Sequence, residues 1–508
     1  MDRASLVDRG VSVEQTPVDF SNVQGLLRFG YGRLTEASFL LVRIRDVAAA
    51  KEWLVSAPVS NAVECEQAPE TALQIAFGRE GLERLGLRGD AMSGFSLEFQ
   101  TGMAGTSGRS RLLGDVGASD PARWMWGGPH GEPHMLVLLY AQPGQLAAWL
   151  AKVKGESWNR AFDVVASLPT TSLGGREPFG FMDGISQPMV DWKRALASTQ
   201  EQATYSNVTS LGEFVLGYPN EYGHYTDRPL LPIGDGSQEG LPLAADVPAM
   251  LDLGRDGCYL VLRSLEQDVG GFWRFVDERA GPAPGSREAL AEAMVGRRLD
   301  GTPLVSVSAD AIPGVEAKTA ELNQFTFDGD AQGLRCPFGA HIRRANPRNA
   351  DLPTPPASGL ERLLRTVGLG QRDLHSDAKA STRFHRILRR GREYGPRLSM
   401  KDALAAGEDG AERGIHFVAL VGNIARQFEF LQSAWLMSTK FDALADESDP
   451  LVGNREPSPG CARTDTFSRP HESGVAERVN GLPAFVRVTG GAYFFLPSLA
   501  MIRYLAAL

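Results

Sequence analysis

Short apolar runs alternate along the chain with stretches in which apolar residues recur at helical spacing. Three strand-then-helix units open the sequence: SFLLVRIR (38–45) precedes DVAAAKEWL, ALQIAF (72–77) precedes GREGLERLGL, and HMLVLLYA (134–141) precedes PGQLAAWLAKV. The same rhythm returns when CYLVLRSL (258–265) precedes EQDVGGFWRFV and HFVALVG (416–422) precedes NIARQFEFLQSAWL. This recurrence predicts an α+β fold made of two related halves.

A segment rich in glycine and proline, residues 217–246, separates these two groups of units. We therefore place a boundary near residue 215, with halves 1–215 and 216–508. No residue-level repeat of fixed period is present, which excludes a solenoid or a propeller. The apolar run that closes the chain is interrupted by Pro497 and Arg503, and it predicts a final strand and helix rather than a membrane span.

Charge and cysteine content narrow the function. The 508 residues include 52 basic and 61 acidic side chains, giving a net charge of −9, so neither nucleic acid nor an anionic membrane is an expected partner. The 4 cysteines form no Cys-x-x-Cys pair, which excludes a zinc knuckle and a dithiol redox centre. The N-terminal residues lack the apolar stretch of a secretory signal. We expect a cytoplasmic protein.

Common catalytic motifs are absent. The chain has no GxxxxGK[ST] phosphate loop, no GxSxG elbow, no HExxH and no GxGxxG after a strand. His130, Glu132 and His134 are residue types that bind zinc or iron. However, Pro133 prevents the helix that usually aligns such ligands, so a turn leading into a strand is the favoured interpretation.

Three segments contain groups that are costly to bury without purpose. Asp183 lies in GREPFGFMDGISQP (175–188), where it could simply form a turn or cap a helix. His341 lies in RCPFGAHIRRANPR (335–348), where a hydrogen-bonded core histidine is the alternative. Arg389 lies in the basic stretch RFHRILRRGREYG (383–395), which in isolation is typical of a solvated helix face.

Together these segments resemble the dye-decolorizing peroxidase family. GFMDG is similar to the GxxDG motif of that family, CPFGAHIRRANPR to its haem-ligand segment, and HRILRRGREYG to the segment with its distal arginine. The resemblance extends to QGLLRFGYG (24–32), FQTGMAGTSGRSRLLGD (99–115), GYPNEYGHYTDRPLL (217–231), HFVALVGNIARQFEFLQSAWL (416–436) and GGAYFFLPSL. It therefore covers most of the chain.

The resemblance implies a fold. We expect two ferredoxin-like halves with antiparallel β-sheets and peripheral helices, of the dimeric α+β barrel type. The first half would carry the distal loop and the second would bind haem. The interval between His341 and Arg389 is longer than the family leads us to expect, and the Pro-rich, charged insertion 349–382 fills it.

On the proximal side, the resemblance makes His341 the ligand of the haem iron. Such a histidine usually donates its other ring N–H to an acceptor, and Glu429 is our candidate, although an exposed helix carboxylate is an equal alternative. Asn346, Pro347 and Arg348 would lie near a haem propionate, whose charge Arg348 would neutralise. An ordinary surface ion pair is the alternative for Arg348.

On the distal side, the resemblance makes Asp183 the proton shuttle and Arg389 the cation that stabilises the departing oxygen of hydrogen peroxide. Gly184, Ile185 and Ser186 would line the haem edge. An aspartate has a reference pKa of about 3.9, below the value of about 6.5 for histidine. We therefore expect substrate oxidation to be fastest in acid.

The function implied is a haem b peroxidase, which uses hydrogen peroxide to oxidise dyes, phenols and other aromatic donors through a high-valent iron intermediate. The chain has no Cys-x-x-Cys-His sequence, so the haem would be bound non-covalently. A homo-oligomer is possible. The alternatives are a haem carrier or sensor without turnover and a relative that has lost its cofactor.

Overall fold

The computed structural model describes residues 17–195, 207–234, 238, 240–305, 322–348, 382–405, 409–442, 444–457 and 464–508. The predicted insertion 349–382 lies outside these residues except for Thr382. Within the described ranges, no helix is long and apolar enough to cross a membrane.

The N-terminal half forms an antiparallel sheet with helices between its strands. The strands are β1 (Glu36–Ile44), β2 (Thr71–Phe77), the two-residue β3 (Trp126–Gly127), β4 (Met135–Ala141) and β5 (Phe162–Pro169). The helices are α1 (Val47–Ser56), α2 (Arg79–Leu85), α3 (Asp90–Ser93), α4 (Leu97–Thr101), α5 (Ser107–Leu113) and α6 (Leu146–Ala161). The spatial order β2-β4-β1-β5, with α1 and α6 as connections, is the ferredoxin-like arrangement.

Short elements lie between the halves and within their loops. Two small paired ribbons consist of β6 (Met189–Asp191) with β7 (Val208–Ser210) and β8 (Leu230–Pro232) with β9 (Met250–Asp252). Single 3₁₀ turns occur at Gly25–Leu27, Gly117–Ser119, Pro121–Arg123, Gly128–His130, Leu211–Glu213, Asp328–Asp330 and Thr382–His385. The boundary near residue 215 falls among these connecting elements and stays a prediction.

The C-terminal half repeats the arrangement. Its strands are β10 (Cys258–Gln267), β11 (Leu388–Arg389), β12 (Arg392–Tyr394), β13 (Gly414–Val421), the paired β14 (Thr466–Arg469) and β15 (Glu477–Asn480), and β16 (Val486–Leu496). The helices are α7 (Val269–Arg279), α8 (Ser286–Val295), α9 (His341–Ala345), α10 (Met400–Ala405) and α11 (Leu499–Ala507), with π-helical segments Ala425–Glu429 and Leu431–Leu436. The order β11-β13-β10-β16 matches that of the first half.

The two halves share one sheet. Strand β16 pairs with β2 through Phe495 and Phe77, so the order runs β11-β13-β10-β16-β2-β4-β1-β5. All seven residues of β4 are buried because apolar clusters cover both faces of the sheet. This two-sided burial explains why the strands appear in the sequence as continuous apolar runs rather than alternating ones. The predicted fold of two ferredoxin-like halves is confirmed, and the described strands form an open sheet, not a closed barrel.

Two local predictions differ from the structure. Strand β5 follows α6 without a break, and no apolar run marked it in advance because most of its side chains are partly or fully exposed. The segment 383–395 is not a helix, since it forms the end of a 3₁₀ turn followed by β11 and β12.

Candidate active site

Residues of both halves line a cavity of about 680 Å³, a size typical of pockets that enclose a small molecule or cofactor. Asp183, His341 and Arg389 all line it. Their side chains are 31 %, 30 % and 29 % exposed, so each opens to the cavity instead of being sealed in the core. Of the other residues predicted from the sequence, Gly184, Ile185, Ser186 and Asn346 also line the cavity.

Asp183 and Arg389 form an ion pair within the cavity. The Nη1 atom of Arg389 donates to Oδ1 of Asp183 over 2.8 Å, and Nη2 donates to the backbone carbonyl of Ser186 over 3.4 Å. Burial alone would raise the pKa of Asp183, but the charge and hydrogen bond of Arg389 outweigh it and hold the pKa below its usual value. The carboxylate is therefore ionised at neutral pH and able to accept a proton.

The loop that carries Asp183 is braced against the C-terminal half. Glu177 accepts hydrogen bonds from the backbone N–H groups of Phe179 and Phe181, at 3.0 and 2.9 Å, which closes a tight turn. The two phenylalanines pack against Phe272 and Trp273 of α7, with ring centroids 4.6 and 6.5 Å apart. Apolar packing thus holds a loop of the first half over the cavity of the second.

Glycine is required directly after Asp183. Gly184 has a φ of +78°, in the left-handed region where other L-residues are strained. The backbone N–H of Asp183 donates to the carbonyl of Gly175 over 3.0 Å, which fixes the start of the same turn. The Asp-Gly pair is therefore a turn, as its sequence indicates, and the turn aims the carboxylate at Arg389.

His341 is the first residue of α9 and is hydrogen-bonded to Asp449. Nδ1 lies 2.9 Å from Oδ2 of Asp449, and because an ionised carboxylate can only accept, Nδ1 carries the proton. Burial would lower the pKa of His341, but the charge and hydrogen bond of Asp449 raise it above its usual value. Burial would raise the pKa of Asp449, but His341 and neighbouring donors hold it below its usual value. Nε2 of His341 is left available for a ligand in the cavity.

The prediction that Glu429 accepts this hydrogen bond is wrong. Oε1 of Glu429 accepts from the hydroxyl of Tyr493 over 2.7 Å and lies 3.0 Å from Nε of Arg109. Tyr493 is buried and Arg109 is half-buried, and together they hold the carboxylate away from His341. Nothing in the sequence singled out Asp449, which lies in an acidic loop 108 residues after the histidine.

The expectation that Arg348 and Pro347 lie near a haem propionate stays a prediction, and neither residue is among those that line the cavity. The Arg348 guanidinium is buried, donates to the backbone carbonyls of Asn323 and Phe325, and stacks 3.6 Å above the Phe325 ring. The charge of Arg348 is close enough to Arg297, which lines the cavity, to lower the pKa of Arg297.

Arg297 is the cation that the sequence did not reveal. It lines the cavity and donates to Oγ of Ser186 over 2.9 Å, and no acidic side chain in the described part of the chain pairs with it. Burial, together with the charges of Arg348 and Arg389, lowers its pKa to about 9. A buried cation that faces a cavity without a counter-charge favours a ligand that brings an anion.

The donor set fits haem. The walls supply apolar side chains on three strands and a π-helical segment, among them Leu265, Ile415, Phe417, Phe428 and Val488. His341 supplies one imidazole nitrogen for iron, as in the haem proteins that have a proximal histidine. Arg297 supplies a charge for a carboxylate. A flat, apolar macrocycle that carries iron and acidic side groups would match all three features.

Comparisons with known proteins agree with this geometry, although no protein-family model matches the chain. The chain is 28% identical to Peroxidase 2 of Mycetinis scorodonius, over 96% of this chain and 87% of that protein. It is 27% identical to a dye-decolorizing peroxidase of Auricularia auricula-judae, over 98% and 88%. It is 32% identical to a multifunctional dye peroxidase of Amycolatopsis sp., over 66% of this chain and 62% of that protein.

Solved structures show the same fold. The crystal structure of a fungal DyP-type peroxidase from Auricularia auricula-judae matches with a TM-score of 0.70 and 24% identity, covering 97% of this chain and 100% of that one. A DyP-type peroxidase from Anabaena sp. matches with a TM-score of 0.66 and 22% identity, covering 96% and 94%. The chain is therefore similar in sequence to dye-decolorizing peroxidases over almost its whole length, and it shares their fold.

Proposed function

We propose that this protein is a haem b peroxidase that uses hydrogen peroxide to oxidise dyes, phenols and other aromatic electron donors. The observation that carries the proposal is the convergence of three groups on one cavity. Asp183 and Arg389 form an ion pair there, and both are close enough to His341 to change its pKa. Named relatives of the chain act on dyes, which supports the substrate class.

His341 would hold the haem through Nε2, with Asp449 as the acceptor for Nδ1–H. Haem bound there would supply the redox-active iron at which peroxide is reduced. Because the Asp449 carboxylate accepts the hydrogen bond from Nδ1–H, the imidazole is a stronger electron donor to a metal. Arg297 would pair with a haem carboxylate. Because no Cys-x-x-Cys-His sequence occurs, these contacts would be non-covalent.

Asp183 and Arg389 would divide the proton transfer and the charge stabilisation between them. The ionised carboxylate of Asp183 accepts a proton from hydrogen peroxide and returns it to the oxygen that leaves as water. The guanidinium of Arg389 stabilises the negative charge that develops on that oxygen. Their 2.8 Å contact keeps both groups aimed at the same place.

A haem carrier or sensor would need His341 and the apolar walls alone. The Asp183–Arg389 pair has no task in such a protein, and a partly exposed ion pair contributes little to stability. Its presence in the cavity therefore favours turnover over storage.

Absorption spectroscopy tests the proposal. Protein loaded with haem should show a Soret band that shifts after one equivalent of hydrogen peroxide and returns when a reducing dye or 2,6-dimethoxyphenol is added. The variant His341→Ala should bind haem weakly or not at all, and Asp183→Ala and Arg389→Leu should bind haem but react slowly with peroxide. A Soret band unmoved by peroxide in the wild type would instead establish a carrier or sensor. Failure to bind haem would show that the cofactor has been lost.

A further inference from the structure

The side-chain amide of Gln187 hydrogen-bonds both backbone groups of Arg389. Its Oε1 accepts from the N–H of Arg389 over 3.0 Å, and its Nε2 donates to the carbonyl of Arg389 over 3.1 Å. Arg389 lies on the two-residue strand β11, and on one side it pairs with Ala419 of β13. The Gln187 amide thus takes the position of a neighbouring strand on the other side.

Gln187 is itself fixed. Its backbone carbonyl accepts from Nδ2 of Asn207 over 2.7 Å and from Nδ2 of Asn323 over 3.0 Å. Asn207 is buried and committed to this contact, so its Asn-Val-Thr sequence is not an exposed glycosylation site. The two hydrogen bonds between the Gln187 amide and the Arg389 backbone, which we call the Gln187 clamp, are therefore made by a residue whose own backbone is held in place.

The same loop contacts Arg389 at two places. Four residues before Gln187, the Asp183 carboxylate accepts from the Arg389 guanidinium, while Gln187 holds the Arg389 backbone. An arginine has several rotatable bonds, so an ion pair at its tip alone leaves the guanidinium free to shift. Holding the backbone as well restricts that freedom before peroxide arrives.

We propose that Gln187 is a positioning residue, which fixes the backbone of Arg389 so that its guanidinium and the Asp183 carboxylate stay aligned for proton transfer from peroxide. This inference rests on the proposed function. Gln187 acts through Arg389, so its loss should slow the reaction with peroxide and spare the later oxidation of the aromatic donor.

The chain contains a matched control. Gln24 makes the same pair of bonds with the backbone of Ile75, donating to its carbonyl over 2.8 Å and accepting from its N–H over 2.9 Å. Gln24 is 0% exposed and does not line the cavity. Gln24→Met therefore removes an equivalent clamp in the first half of the molecule without touching the distal pair.

The experiment compares wild type, Gln187→Met and Gln24→Met, each loaded with haem. Since misplacement by about 1 Å can cost about a hundredfold in rate, Gln187→Met should lower the rate constant for peroxide by about tenfold to a hundredfold. Oxidation of 2,6-dimethoxyphenol at saturating peroxide should change by less than the peroxide step. Gln24→Met should keep the wild-type peroxide rate even where urea unfolding shows an equal loss of stability.

The variant Gln187→Glu adds a signature that a merely structural role would not give. When the glutamic acid is protonated, its carboxyl group can donate to the Arg389 carbonyl and restore the hydrogen bond that the Gln187 amide makes. When it is ionised, a carboxylate oxygen faces the carbonyl oxygen of Arg389, and the two repel. The charged groups nearest to this position are Arg389 with its partner Asp183, Arg390, which donates to the Arg389 carbonyl over 3.2 Å, and Arg297, which donates to Ser186. The ratio of its peroxide rate to that of wild type should rise as pH falls from 7 towards 4, whereas the ratio for Gln187→Met should not.

Cyanide binding separates this inference from the proposed function. Hydrogen cyanide must lose its proton when it binds ferric haem, so its association rate depends on the distal base whether or not peroxide is turned over. Slow cyanide binding in Gln187→Met and normal binding in Gln24→Met would support the positioning role even in a protein without peroxidase activity. Equal cyanide and peroxide rates in Gln187→Met and wild type would overturn it.

Discussion

His341 and Asp449 are joined by a 2.9 Å hydrogen bond, and the loop around Asp449 is built to hold that carboxylate still. Oδ1 of Asp449 accepts from the backbone N–H groups of Leu451 and Val452, each at 2.9 Å. Arg455 donates to the backbone carbonyl of Asp449 over 3.0 Å. The acceptor cannot turn away from His341 without breaking these contacts, so both the orientation and the proton of the imidazole are determined before a cofactor binds.

The first prediction concerns the charge on this acceptor. Asp449→Asn keeps an oxygen for Nδ1–H but removes the negative charge that raises the pKa of His341. The acceptor that hydrogen-bonds a metal-ligating histidine typically contributes about tenfold to a hundredfold to metal affinity. The dissociation rate of haem should therefore rise by about tenfold to a hundredfold in this variant. The ferric/ferrous midpoint potential should also rise. Haem transfer to an apoglobin and spectroelectrochemistry measure the two effects, and unchanged values in both would contradict the assigned role.

Glu429 gives the opposite expectation. Glu429→Gln leaves Arg109 without its carboxylate and weakens the bond from Tyr493, and an unsatisfied buried group costs about 1–3 kcal/mol. The free energy of unfolding in urea should fall by that amount, with the haem spectrum and potential unchanged. A shifted Soret band in this variant would contradict this prediction, because it would indicate that Glu429 acts on His341.

The third prediction is a pH dependence. The pKa of Asp183 is depressed, so its carboxylate remains ionised as pH falls past the ordinary value of about 3.9. The reaction with peroxide should therefore persist in acid and decline only when pH falls through the lowered pKa. Asp183→Asn should reduce the peroxide rate constant by about 10² to 10⁴ and remove this decline, as stopped-flow measurements between pH 3 and 7 would show.

The lowered pKa of Asp183 also makes the free energy of unfolding depend on pH. A carboxyl whose pKa is lower in the folded protein stabilises the fold above its unfolded pKa, and that contribution disappears as pH falls through the folded pKa. The difference in unfolding free energy between wild type and Asp183→Asn should thus be constant near neutral pH and shrink below about pH 4. A difference that grew in acid would mean that Asp183 is not held ionised by Arg389.

Sequence patterns predicted the fold well because apolar runs mark buried strands. The strands beginning near Ser38, Ala72, Met135 and Cys258 all appear as strands within a few residues of their predicted ends. Strand β5 was missed because it lies at the edge of the sheet, where few of its side chains are buried and no apolar run forms.

The site was predictable where motif and chemistry coincide in one short segment. Asp183, His341 and Arg389 each lie in such a segment, and the structure brings them to one cavity. Asp449 and Arg297 could not be inferred, because their importance depends on contacts between residues far apart in the chain. A carboxylate in an acidic loop and an arginine after a helix have nothing local to distinguish them.

The last prediction tests Arg297 as the partner of a haem carboxylate. Arg297→Gln keeps a donor for Ser186 but removes the positive charge from the cavity, and a charge-assisted bond of about 1.4 kcal/mol corresponds to about tenfold in affinity. Haem should therefore bind about tenfold more weakly to this variant, as titration of the apoprotein would show.

Haem dimethyl ester separates charge from shape in the same titration. The ester lacks the carboxylate charges, so wild type should bind it more weakly than haem, while Arg297→Gln should discriminate less between the two. The difference between these ratios is the interaction energy of Arg297 with the carboxylates, free of any general effect of the substitution on folding. Arg228→Gln is the control, because Arg228 pairs with Asp246 and Asp252 and none of the three lines the cavity, and it should discriminate as wild type does. Equal discrimination in wild type and Arg297→Gln would show that another group binds the carboxylates.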